Sequence, residues 1–186
     1  MNLIVSFQNL FIITFTISGP LLTNSCEQNY VSESKLEMRD TLIYLKGNNK
    51  PFTGREKALV NGKIIEYDIV DGIKHGEFMI YYENGNTQIK GQMENNRNVG
   101  KWHYFYESGG IESEGYFVDD QPEGKWFWYS PSGKVKEEGS YKQGRRVGLW
   151  KNYDDNGNLV QEKEFSFDDT TRVDLNFFDR FNTPDE

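Results

Sequence analysis

The sequence predicts an all-β repeat protein in which two-stranded units lie side by side as one ribbon. Three observations predict it. Gly76, Gly100, Gly124 and Gly148 fall 24 residues apart, and so do Gly85, Gly109, Gly133 and Gly157. Ring columns keep the same step: Phe78, Trp102, Trp126 and Trp150, then Tyr81, Phe105, Tyr129 and Tyr153. Apolar residues make up only 36% of the 186 while aromatics reach 15%, and the mean hydropathy is −0.75. That mixture suits thin layers in which rings supply the burial, not a thick aliphatic core.

The chain opens on an apolar, uncharged stretch, LIVSFQNLFIITFTISGPLL, and its first basic residue is Lys35. Residues 1–25 read as an export signal. The only cysteine, Cys26, follows the small residue Ser25, which resembles the lipobox of bacterial lipoproteins. That resemblance implies cleavage before Cys26 and a diacylglycerol anchor on its sulfur, hence a membrane held through lipid. The n-region lacks Lys and Arg, and Thr23-Asn24 is a loose version of the usual pair. A plain secretory signal giving a secreted or periplasmic protein, or an uncleaved anchor with an incidental Cys, stays open. Residues 26–39 are polar and read as a tether. The expected repeat domain spans 40–168, with Asp40 to Leu45 as its leading strand.

Each unit reads as a hairpin. Trp102-His103-Tyr104-Phe105-Tyr106 is ring-rich and free of Gly and Pro, so it favours a strand. It ends at Ser108-Gly109, equivalent to Asn84-Gly85, Ser132-Gly133 and Asn156-Gly157. The Asn-Gly pairs predict type I′ turns there. The second strand carries a third glycine column, Gly91, Gly115 and Gly139, which stops at Lys163. A glycine inside a strand marks close approach, and the expected visitor is a neighbouring ring. Residues 169–186 contain DLNFFDRF, read as a C-terminal cap or tail.

These columns, with Pro51-Phe52-Thr53-Gly54 upstream, resemble the MORN-repeat family in its bacterial variant form. The resemblance covers roughly residues 51 to 168. It implies an elongated, single-layer, antiparallel meander of hairpins that holds other proteins. Some bacterial members are catalogued as antitoxins.

Composition and motifs narrow the chemistry. A net charge of −8 argues against nucleic acid and anionic lipid surfaces, which want a concentrated basic face. The two histidines, His75 and His103, do not supply a convergent metal set, so neither metal nor cofactor is expected. Asp119-Asp120, Asp154-Asp155 and Asp168-Asp169 fall in predicted turns, where Asp bonds the local backbone. No catalytic constellation stands out. The invariant columns, Trp102, Trp126 and Trp150 among them, read as structure. Positions that vary between copies are the partner candidates: Met79, Ile80, His103, Tyr104, Phe127 and Trp128, with Tyr104 and Trp128 as an exposed ring pair. The expected function is a non-enzymatic protein-binding module at a bacterial cell envelope, periplasm-facing or on the outer membrane. The alternative is an antitoxin or immunity protein that masks a toxin's surface.

Overall fold

The computed structural model describes residues 30–31, 35–60 and 62–168. Cys26 and the stretches 1–25 and 169–186 lie outside the described residues. Thirteen strands form among them and no α-helix: β1 Tyr30–Val31, β2 Leu36–Arg39, β3 Leu42–Leu45, β4 Gly54–Val60, β5 Lys63–Val70, β6 Ile73–Tyr81, β7 Thr87–Glu94, β8 Arg97–Phe105, β9 Ile111–Val118, β10 Gln121–Tyr129, β11 Val135–Lys142, β12 Arg145–Tyr153 and β13 Leu159–Phe165. From β4 to β13 every strand pairs antiparallel with the next, and β1 joins parallel to β4. With neighbours about 4.8 Å apart, the meander is on the order of 45 Å wide across its strands.

The leading strand of the sequence reading is half of a separate hairpin. Leu42–Leu45 pairs with Leu36–Arg39, the last residues assigned to the tether. The tight link at Asp40-Thr41 folds the two onto each other, with Asp40 at φ 55°. This hairpin rests on the meander through Leu36 and Ile43, which pack with Ile69. The Ile43 N–H donates to the Gly72 carbonyl at 2.9 Å.

The type I′ turns lie at the opposite end of the hairpins from the Asn-Gly pairs expected to form them. Asp71-Gly72, Asn95-Asn96, Asp119-Asp120 and Gln143-Gly144 all have positive φ at both residues, as type I′ requires. At the Asn-Gly end only the glycine does: Gly85 has φ 86°, and Asn84 stays out of the left-handed region. Register explains this placement. Glu94 pairs with Arg97, leaving a two-residue loop, whereas Tyr81 pairs with Thr87 and leaves five residues to turn. The longer loop closes as a turn over 82–85, with the Gly85 N–H on the Tyr82 carbonyl at 2.9 Å, and a left-handed glycine completes it.

One face of the sheet carries the core. Alternation sends Trp102 and Tyr104 to it, together with Gly115 and Phe117 of the next strand. Eight rings run across the strands in a continuous row: Tyr67, Phe78, Trp102, Phe117, Trp126, Tyr141, Trp150 and Phe165. Successive centroids lie 5.0 to 6.4 Å apart. The interior glycines are where the tryptophans lie down. A Cβ on Gly91, Gly115 or Gly139 would stand 2.1 Å from Cδ2 of Trp102, Trp126 or Trp150. Each glycine accommodates the ring of the following repeat, so Lys163 is permitted: no repeat follows it among the described residues.

Candidate functional site

The opposite face is built from the residues between the core positions. Met79, Tyr81, His103, Phe105, Phe127, Tyr129, Lys151 and Tyr153 are each half-buried there. The rings stack in pairs along their strands, His103 on Phe105 at 6.0 Å and Phe127 on Tyr129 at 6.3 Å, both near 25°. Tyr116, on the neighbouring strand, is 51% exposed.

A carboxylate ladder fixes these rings. Glu114 accepts from the Tyr129 hydroxyl at 3.1 Å and from Lys101 Nζ at 2.8 Å. Glu138 does the same with Tyr153 at 2.8 Å and Lys125 at 3.0 Å. Glu66 repeats the pattern with Tyr81 at 3.4 Å and Lys57 at 2.7 Å. The copy between Glu66 and Glu114 breaks it in a compensated way. Lys90 stands in the glutamate column and offers no acceptor, and the ring due to bond it is Phe105, which has no hydroxyl. The ion pair survives with its signs exchanged, Lys90 Nζ to Glu77 at 2.8 Å. The other Glu77 oxygen meets the buried Arg55 at 3.0 Å, and Arg55 also holds Asp68 at 2.9 Å and Glu66 at 3.4 Å.

These contacts set protonation. Glu138 is held below its ordinary value of 4.5, first by the Tyr153 hydroxyl, with burial opposing and Lys125 assisting. At Glu114 burial is the largest influence and pushes upward, but Lys101 and Tyr129 together outweigh it and the net direction is down. Burial, with Glu114 beside it, pushes Tyr129 up to about 12. His103 is lowered by burial and by Lys101, against the pull of Glu114 3.3 Å away, so at neutral pH the imidazole beside Glu114 is neutral. Because Glu138 and Glu114 bind protons less readily folded than unfolded, they contribute stability that is complete above pH 4.5 and is lost as pH falls through their lowered values. The urea midpoint is therefore expected to fall steadily below that pH, and Glu138→Gln to flatten the decline.

The six partner candidates divide between the two faces. Met79, His103 and Phe127 lie on the face just described. Ile80 and Tyr104 lie on the core face, 2% and 4% exposed, and belong to its buried cluster. Burial pushes the Tyr104 hydroxyl far above its usual range. Trp128 packs between Trp126 and Trp150 at 5.8 and 5.5 Å. Ile80 and Tyr104 are thus core, and the exposed Tyr104–Trp128 pair does not form: Ser113, fully buried, sits between them in register. Sequence reasoning missed the carboxylate ladder, though Glu66, Glu114, Glu138 and Glu162 keep the same phase of 24. Among the described residues no group of three or more His, Cys, Asp or Glu could hold a metal ion.

The MORN repeat variant profile matches residues 74–95, 98–119, 122–143 and 146–166. This chain belongs to the MORN-repeat family. Its matched MORN units open at Lys74, Asn98, Pro122 and Arg146, and the first three are clasped by the type I′ turn at their own far end. The Asn96 side chain accepts the Lys74 N–H at 2.8 Å, and Asp120 accepts that of Asn98 at 2.7 Å. Pro122 has no N–H to give, and the turn residue facing it is Gly144, which bonds only the Pro122 carbonyl. No curated protein matches this MORN chain. Among solved structures, a crystal structure of an S. aureus TarM mutant in complex with Fondaparinux, alpha-GlcNAc-glycerol and UDP is 13% identical, over 57% of this chain and 18% of that one, with a TM-score of 0.29. The chain spans under a fifth of that chain's length.

Proposed function

We propose that the protein is a non-enzymatic protein-binding repeat module, tethered at a bacterial cell envelope through a lipid on Cys26. A MORN sheet is consistent with a protein-binding repeat module, and the observation that carries this reading is the ring-and-carboxylate face. Half-buried His103, Phe127 and Tyr129 are already held in place by stacking and by the glutamate ladder, and Met79 by Arg55 and the Tyr81 hydroxyl, so a partner pays little ordering entropy to bind them. Large rings rimmed by charge are what protein hot spots are made of. Acidic residues exceed basic ones, 29 to 21, which favours a partner with a basic rim.

Two measurements test the two parts separately. Cells fed a labelled fatty acid are expected to label the protein, and Cys26→Ser to abolish the label; an unlabelled wild type removes the anchor. Partners captured by the full chain from envelope extracts are expected to be lost by the double variant His103→Ala/Phe127→Ala while its melting temperature stays close to wild type. Retention of every partner by that variant would show that this face is not the contact.

A further inference from the structure

The core face holds a cavity of about 390 Å³ near the N-terminal end of the meander, at the small end of the range for ligand pockets, about 300–1,000 Å³. Register shows why it exists. Phe78 pairs with Gly91, Trp102 with Gly115 and Trp126 with Gly139; the same slot in β4, paired with Tyr67, is Glu56. Two residues on, Ile80, Tyr104 and Trp128 occupy a slot that β4 fills with Ala58, paired with Ile65. One strand of the sheet therefore puts a carboxylate and a methyl group where its neighbours put large apolar side chains, and the space left is this cavity.

Its lining is specific. Tyr67 presents ring surface with the buried Phe78 and Trp102 behind it, and Glu56, only 3% exposed, brings a carboxylate beside them. Burying a carboxylate among rings is costly, and each other strand of the series avoids it. Lys74 sets its ammonium 4.3 Å from the centroid of the Tyr67 ring and feels the Glu56 charge. Asn98 and Asp120 complete the polar side, the Asn98 backbone N–H occupying one Asp120 oxygen at 2.7 Å and leaving the other. Two carboxylates disfavour an anion, and Lys74 already supplies the cation. A neutral ligand remains, with an apolar face for the rings and an edge of groups that both donate and accept. A pyranose has that constitution: C–H groups on its faces and hydroxyls around its rim.

We propose that this cavity is a binding site for a neutral pyranose sugar, its C–H face on the Tyr67 ring against the Phe78–Trp102 wall and its hydroxyls on Glu56, Lys74 and Asp120. The site is separate from the ring-and-carboxylate face and goes beyond the protein-binding reading.

The test titrates the full chain with methyl β-glucopyranoside, methyl β-galactopyranoside and N-acetylglucosamine, followed by saturation-transfer NMR and tryptophan fluorescence. Adenosine and n-butylammonium serve as the neutral-planar and cationic comparisons. At least one pyranose is expected to bind saturably at millimolar concentration. Glu56→Gln is expected to weaken it about tenfold, and Ala58→Trp, which installs the side chain that β10 carries as Trp128, to abolish it. Ala58→Ile, matching Ile80, provides the milder filling variant if the larger one does not fold. The proposal is overturned if no pyranose binds, if adenosine or n-butylammonium binds in its place, or if binding survives both Glu56→Gln and Ala58→Ile undiminished.

Discussion

Gly115→Ala is expected to destabilise the protein by about 3 kcal/mol, the upper end for overpacking a filled core. The added methyl would stand 2.1 Å from Cδ2 and 2.2 Å from Cε2 of Trp126, far inside contact distance. Relief requires the indole to move, and it has nowhere to go. Trp126 is 0% exposed, with Phe117 at 5.3 Å, Trp128 at 5.8 Å and Tyr141 at 5.9 Å. Gly109→Ala provides the control. Nothing lies within 4 Å of a Cβ there, and only its φ of 91° resists a side chain, a cost of about 1 kcal/mol. Urea unfolding of the two variants separates a steric glycine from a conformational one. Equal losses would mean that the indole does not rest on the strand. Gly115→Ala combined with Trp126→Leu should cost less than the sum of the single changes, since the collision is then removed.

What the sequence discloses follows from which positions the fold must hold identical. Every repeat needs the tryptophan, the glycine beneath it and the turn glycine, so these columns are visible at a spacing of 24, and the architecture with them. The Asn-Gly turns are not the type I′ expected of them because Asn-Gly favours that type only when two residues separate the paired ends, and that count depends on the register. The variable positions mixed two faces for a related reason. Ile80, Tyr104 and Trp128 vary because several apolar shapes fill one slot, whereas Met79, His103 and Phe127 vary because their face is half open. Variation alone does not separate the two cases, and alternation along the strand does. The Lys90–Phe105 and Pro122–Gly144 pairs were present in the sequence, but each becomes legible only when register brings its members together across strands.

Trp126→Ala is expected to have the larger effect of the two, about 4 kcal/mol, and to alter how the protein unfolds as well as when. In a stack held by nearest-neighbour contacts, stability is close to a sum of unit and interface terms. Trp126 is the joint in the middle of the ring row, touching Phe117 and Tyr104 on one side, Tyr141 on the other and Trp128 along its own strand. Removing it leaves Tyr67 to Phe117 and Tyr141 to Phe165 as two shorter rows, connected on this face only by backbone pairing and on the other by the Glu114–Tyr129 and Glu138–Lys125 contacts. Hydrogen exchange should then lose protection first in β9, β10 and β11, while β6 and β7 keep theirs through Phe78, Ile80 and Ile89. Trp150→Ala, by contrast, acts nearer the end, where the outer neighbour is the half-buried Phe165 at 6.1 Å. It should cost less and leave a single transition. If the two variants unfold alike, with protection lost uniformly along the meander, coupling runs through the backbone ladder and the rings are a covering layer on a sheet that holds itself.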